Sequence, residues 1–216
     1  MKYRFAVLLI ALMVIATFAF AEGGAEEAET FEWRIGHANA PLENSALHVT
    51  ATKFEELVEE YSEGRIQIEV YPSAQLGNDK EMADLTVSGA IDGFVTSLNL
   101  ITQYAPRMDA FILPYMFEES ANFQQAAFGM WEENNEYLVD RANMRFFTLW
   151  DSGFRHVMST KPVRTLDDLR QMKFRVPPSP VMIAMVESWG VSPTPVEWSE
   201  LFNAVQLGVV DAFEVD

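Results

Sequence analysis

Apolar residues along this chain recur at two spacings that take turns. Phe31–His37 (F-E-W-R-I-G-H) and Arg65–Tyr71 (R-I-Q-I-E-V-Y) alternate residue by residue, which predicts half-buried strands. Between them Leu47, Thr50, Phe54, Leu57, Val58 and Tyr61 recur at helical spacing, predicting an amphipathic helix over Ser45–Tyr61 that Gly64 stops. Asn78 followed by Glu81 is a capping-box pattern and opens a helix that ends at Gly89. Ile91–Ser97 (I-D-G-F-V-T-S) predicts a third strand, and Phe111–Phe117 is an apolar crossing broken by Pro114. Asn122–Val139 is helical in pattern, and Arg145–Trp150 predicts another strand. Further on, Val181–Trp189 and Ser199–Leu207 predict helices closed by Gly190 and Gly208, and Val209–Val215 begins one more strand. Strands and helices in this order predict an α/β fold with parallel sheets and crossover helices.

Two arginines break the apolar pattern in a suggestive way. Arg155 lies in F-R-H-V-M and Arg175 in K-F-R-V-P, two short strand-like segments separated by the helix-opening T-L-D-D-L. A guanidinium among strand hydrophobes is costly to bury unless it meets an anion. From the residues alone two readings stand: a cleft that grips a carboxylate, or two arginines that are merely exposed or salt-bridged.

The N-terminus adds a compartment. Lys2 and Arg4 precede an apolar run from Phe5 to Phe18, and Ala19-Phe20-Ala21 is a small-x-small cleavage signal. Residues 1–21 therefore predict a secretory signal peptide cleaved after Ala21, and the short acidic stretch 22–30 a leader before the folded part. An exported, periplasmic protein is expected. The chain has no cysteine, so its stability is expected to rest on a hydrophobic core rather than disulfides.

Charge narrows the partners. The sequence carries 15 basic and 32 acidic residues, a net −17, and cleavage of the basic n-region leaves an even more acidic chain. Nucleic acid and anionic membrane surfaces are not expected partners. An anionic small molecule is not excluded, because the Debye length at physiological salt is only about 8 Å and two local arginines outweigh distant carboxylates. No glycine-rich phosphate loop, H-E-x-x-H or G-x-S-x-G occurs. The three histidines, His37, His48 and His156, form no ligand-spaced cluster, and His48 is expected on the solvent side of its helix. Neither a metal, nor another cofactor, nor an enzymatic activity is expected.

At this point the residues resemble a family. The run Ser62–Gly77 (S-E-G-R-I-Q-I-E-V-Y-P-S-A-Q-L-G), then Ser88–Asp92, Leu113–Tyr115, Gly153–Arg155, Lys161–Val163, Asp168-Leu169, Lys173–Pro177, Gly190–Pro195 and Gly208–Asp211, with Glu200, Ala204 and Gln206, follow in order from about Trp33 to Glu214. Together they resemble the substrate-binding proteins of tripartite ATP-independent periplasmic (TRAP) transporters, the DctP-like group. The resemblance implies a two-domain, type II-like Venus-flytrap binding protein with mixed, mostly parallel sheets. It is expected to act as a monomer that captures a small carboxylate and delivers it to the TRAP permease membrane subunits. Two alternatives are a binding protein serving a sensor or chemoreceptor, and an exported enzyme on the same fold.

The resemblance also implies roles for residues. Arg175 takes the position of a bidentate clamp on the ligand carboxylate and Arg155 that of a second anion contact. A guanidinium fork fits a carboxylate in two parallel bonds that lysine cannot reproduce. Trp198 is expected to pack on the ligand body, Ser97 and Asn99 to add polar contacts, and the loop with His37 and Asn39 to line the cleft. Three positions depart from the family pattern. Gln171 replaces a glycine that ends a helix, implying a strained or altered turn, and Ala212 replaces another glycine. Val215 stands where many members carry an asparagine that reaches the ligand, which predicts a carboxylate with a less polar body. Domain I is expected at 31–151 and domain II at 152–216. The resemblance further implies that both are incomplete, the chain being expected to be a C-terminally truncated part of a longer product.

Overall fold

The computed structural model describes residues 29–216. The predicted signal peptide and most of the acidic leader lie outside the described residues. The first sheet holds three parallel strands in the order β2-β1-β3, formed by β1 (Phe31–His37), β2 (Ile66–Tyr71) and β3 (Gly93–Val95). Helix α1 (Ala46–Tyr61) joins β1 to β2 and α2 (Asp79–Val87) joins β2 to β3, the crossover expected of parallel strands. The predicted capping box is present: Asn78 Oδ1 accepts from the Glu81 amide at 2.9 Å, and Glu81 accepts in return from the Asn78 amide at 2.8 Å. Close packing of α2 on β1 requires Gly36, because a Cβ there would lie 2.6 Å from the Met82 sulfur.

The second sheet has four strands in the order β4-β7-β5-β6: β4 (His156–Ser159), β5 (Phe174–Val176), β6 (Pro193–Pro195) and β7 (Ala212–Val215). β5 pairs in parallel with β6 and β7, and β4 runs antiparallel to β7. Sheets are therefore mixed and mostly parallel, as expected. Helices α5 (Leu166–Arg170), α6 (Pro180–Ser188) and α7 (Trp198–Gln206) connect these strands. Their core is Phe174, Val176, Val186 and Ala212, all fully buried, with Leu169, Met182 and Val191. β5 is buried at all three positions, as a central parallel strand covered on both faces should be.

Several expectations fail for local reasons. The single helix predicted over 122–139 forms as α3 (Ser120–Gly129) and α4 (Trp131–Ala142), parted at Met130, whose φ −110° and ψ 20° leave the helical basin next to Gly129. Arg145–Trp150 forms no strand. Its backbone is held by a side chain instead, the Phe146 amide donating to Asn135 Oδ1 at 2.7 Å. Phe147 meanwhile stacks on Trp33 and leans on Phe54, with ring centroids 6.0 and 5.5 Å away. β7 starts at Ala212 rather than Val209, because the Val209 and Val210 amides both turn back to the Ala204 carbonyl. β3 shrinks to three residues. Gln171 has φ −91° and ψ 0°, an ordinary right-handed conformation, so the expected strain in that turn is absent.

Candidate functional site

Arg175 sits at the middle of β5, beside Thr194 of β6 and Phe213 of β7. It is 3% exposed. Its Nε donates to the Val196 carbonyl at 2.9 Å, and its Cζ lies 5.9 Å from the centre of the Trp198 ring, at the outer reach of a cation–π contact. No carboxylate among the described residues comes within ion-pair distance of it. Burial pushes its pKa down from the ordinary arginine value, and the fields of Glu214, Glu197 and Asp79 only partly oppose this. A buried guanidinium with two unpaired terminal nitrogens is a costly object unless a ligand completes it.

Arg155 is held differently. It precedes β4 and keeps 37% of its side chain exposed. Its Nε donates to a Glu214 carboxylate oxygen, and its Nη1 lies 3.6 Å from Asp216 Oδ1. Glu214 itself is 3% exposed, with its second oxygen unpartnered. Burial raises the Glu214 pKa, and the bond to Arg155 pulls it back. Arg155 is thus salt-bridged within the chain, whereas Arg175 has no carboxylate partner among the described residues.

Both arginines line a cleft of about 530 Å³ between the two sheets. The first sheet's side supplies Asn39, Asp79, Thr96, Ser97 and Asn99, and the second side Pro177, Trp198 and Val215. Trp198 spans the two halves. It packs against the Ala38, Met82 and Ile91 cluster of the first and the Leu201, Ala204 and Val210 cluster of the second. Asp79, at the first turn of α2, is 3% exposed and accepts from Thr96 Oγ1 at 2.5 Å. Its pKa is raised, by burial first. Glu197 is raised for the same leading reason.

Of the residues singled out in the sequence, Arg175, Arg155, Trp198, Ser97, Asn99, Asn39 and Val215 all line this cleft. His37 does not. It ends β1 fully buried, and its Nε2 lies 3.1 Å from His48 Nδ1, so the ring supports the wall from behind. His48 accordingly faces His37 rather than solvent. The loop between them is pinned from outside by the Ser73 and Ala74 amides, which donate to the Asn39 and His37 carbonyls at 2.8 and 3.1 Å. Ser73 and Ala74 both adopt positive φ, 55° and 56°, to reach them. Sequence reasoning missed Glu214 and Asp79. The first carries a weak signal, a lone acid in the strand A-F-E-V, and the second reads as an ordinary first-turn acid.

A larger cavity of about 940 Å³ adjoins the cleft and is lined mainly by apolar side chains, Phe111, Phe123, Phe147, Phe154, Met182 and Trp189 among them. Arg175 does not reach it. The smaller cleft holds the unpaired charge and is the candidate ligand site.

Comparison with known proteins places this geometry among relatives. Residues 35–215 match the profile of the bacterial extracellular solute-binding proteins, family 7 (DctP). A solute-binding protein of Roseobacter denitrificans is 30% identical over 205 residues, covering 94% of this chain and 62% of that one. A C4-dicarboxylate-binding periplasmic protein of Rhodobacter capsulatus is 31% identical over 194 residues, covering 87% and 56%. The crystal structure of a TRAP periplasmic solute-binding protein from Roseobacter denitrificans with bound L-galactonate superposes with a TM-score of 0.80 at 28% identity, covering 86% of this chain and 61% of that one. The chain thus spans about three fifths of the length of these relatives.

Proposed function

The chain belongs to the family 7 bacterial extracellular solute-binding proteins, the substrate-binding proteins of TRAP transporters, and from that membership we propose that it captures a small organic carboxylate in the cleft around Arg175 and presents it to a membrane permease. On this reading it is exported to the periplasm, works as a monomer, and carries out no chemistry on its ligand. Residues 31–151 and 152–216 form the two lobes that face each other across the cleft.

One observation carries the reading: a guanidinium 3% exposed, paired with no carboxylate among the described residues, in the wall of a cleft large enough for a small acid. Its two free terminal nitrogens match the two oxygens of a carboxylate. Arg155 is already engaged by Glu214, so it adds field and shape rather than a free fork. Trp198 offers a flat face to the ligand body, and Ser97 and Asn99 offer polar contacts from the other lobe. The names of two relatives, one crystallised with L-galactonate and one called C4-dicarboxylate-binding, support an organic acid as the ligand class.

A thermal-shift screen against C4-dicarboxylates, sugar acids, keto acids and sialic acid tests the reading. A true ligand at 100 times its Kd stabilises the protein by about 2.7 kcal/mol. The shift should vanish in Arg175→Lys, which keeps the charge and loses the fork. Shifts of equal size in that variant would reject the clamp.

A further inference from the structure

Two histidines close the cleft wall of the first lobe from behind. Segment 37–48 runs from the end of β1 to the first turn of α1, and along it Asn39, Asn44, Ser45 and Leu47 line the cleft. His37 stands at one end of this segment and His48 at the other. Nε2 of His37 lies 3.1 Å from Nδ1 of His48, with the ring centroids 5.2 Å apart. The contact ties the two ends of the segment together, and it is made by side chains whose kind titrates near neutrality.

A contact of this length holds one proton. His37 is 0% exposed, and its Nδ1 is buried without a partner. An N–H there would forfeit its bond to water, so His37 carries its proton on Nε2 and donates it to His48 Nδ1. A second proton has no good place to go. On His48 Nδ1 it turns the bond into two N–H groups that face each other. On His37 Nδ1 it makes a buried cation, and the nearby Asn39 backbone closes no hydrogen bond on that atom. Burial, and then His48, lowers the His37 pKa accordingly. The surroundings supply little counter-charge. Ser45 makes no capping bond and the first turn of α1 contains no acid, so the positive end of that helix adjoins the pair. Glu55, which shares a field with His48 from two turns along α1, is shifted toward its neutral form, by burial first. Asp79 at the start of α2 and Glu197 just before α7 interact among themselves and with Arg175 instead.

We propose that the His37–His48 pair is a proton-sensitive catch on the cleft: neutral, it holds segment 37–48 against a bound acid; protonated, it parts, and the acid is released. The proposal rests on the carboxylate reading above and adds to it a control by pH. Its sign follows from the geometry. The bound form keeps the pair neutral, while the parted form takes up a proton near the ordinary histidine value of about 6.5. Affinity is therefore full above that pH and is lost as pH falls below it.

Calorimetric titration at pH 7.5 and 5.5 tests it, using L-galactonate and the other sugar acids and keto acids of the thermal-shift screen, which stay ionised throughout. One proton linked in this way raises the Kd about tenfold between the two conditions. Titrations in buffers of different ionisation enthalpy should show about one proton released per acid bound at pH 5.5, and almost none at pH 7.5. Asp79 and Glu197 cannot mimic that signal, because an incoming anion favours their neutral forms and binding would take a proton up. His48→Asn keeps an acceptor in place of Nδ1 and does not titrate; His37→Gln likewise keeps a donor in place of Nε2. Either variant that melts cooperatively should bring the ratio of the two Kd values to about one and abolish the proton release. A wild-type Kd that stays within about twofold, no proton release at pH 5.5, or an unchanged ratio in a folded variant refutes the catch and leaves the clamp standing. If none of the acids binds at pH 7.5, or binding ignores Arg175→Lys, both readings fall together.

Discussion

Replacing Arg175 by methionine separates a ligand clamp from a structural arginine. Methionine has a similar length and no charge, so the change removes one hydrogen bond to the Val196 carbonyl and a distant contact with Trp198. Those losses amount to about 1.5–3 kcal/mol for a charged hydrogen bond and about 0.5–1 for the cation–π contact. Against them stands relief from burying a guanidinium that the fields of Glu214, Glu197 and Asp79 only partly offset, several kcal/mol per ion in real proteins. The ligand-free variant should therefore melt at or above the wild-type temperature, by up to about 1–2 kcal/mol or a few degrees in a chain of this size. Binding should behave oppositely. Removing one partner of a buried charge pair costs about 2–5 kcal/mol, which is a loss of about 30-fold to about 5,000-fold in affinity. Scanning fluorimetry without ligand and calorimetry with a bound acid measure the two halves. A ligand-free melting temperature that drops by more than about 8 °C, or an affinity within about threefold of wild type, would refute the reasoning.

Three further outcomes follow from the same geometry. Arg155→Ala strips the buried Glu214 of its partner and should destabilise the protein by about 1–3 kcal/mol, less than for a fully buried pair because Arg155 is 37% exposed; Arg155→Met with Glu214→Leu should recover most of it in a double-mutant cycle. His37, whose pKa is lowered first by burial and then by His48, binds its proton less readily folded than unfolded, so its contribution is present above the ordinary histidine value near 6.5 and is lost as pH falls below it; melting curves from pH 7.5 to 5.5 should decline, and less steeply in His37→Asn. Phe174→Ala empties the fully buried centre of the second core and should cost about 3–5 kcal/mol by chemical denaturation, with a smaller cost indicating that the surrounding side chains collapse into the space.

What could be read from the sequence was whatever is carried by neighbours along the chain. The alternation in R-I-Q-I-E-V-Y gave β2 within one residue, and Asn78 with Glu81 gave a capping box that is present in the fold. Arg175 stood out because a charge in a short apolar strand violates its own pattern. Its lack of a carboxylate partner among the described residues did not stand out, since that depends on Glu214 choosing Arg155 across 59 residues. The pairing of His37 with His48 depends on how α1 docks against the end of β1, and helical periodicity alone turned His48 the wrong way. Arg145–Trp150 has strand-like residues, but Asn135 and the ring cluster of Trp33, Phe54 and Phe147 claim it first. The uncapped start of α1 was invisible because Ser45 is a good cap by residue type, yet its hydroxyl makes no capping bond.

The central claim is that the cleft recognises a carboxylate through Arg175. The most direct test keeps the protein constant and changes the ligand: calorimetric titration of wild-type protein with an acid that binds, and with the methyl ester of that acid. The ester keeps the shape and loses the charge and one of the two equivalent oxygens. The account predicts that the acid binds and that the ester is weaker by at least about 30-fold, the same factor expected from removing the arginine. An ester that binds within about threefold of its acid would contradict it.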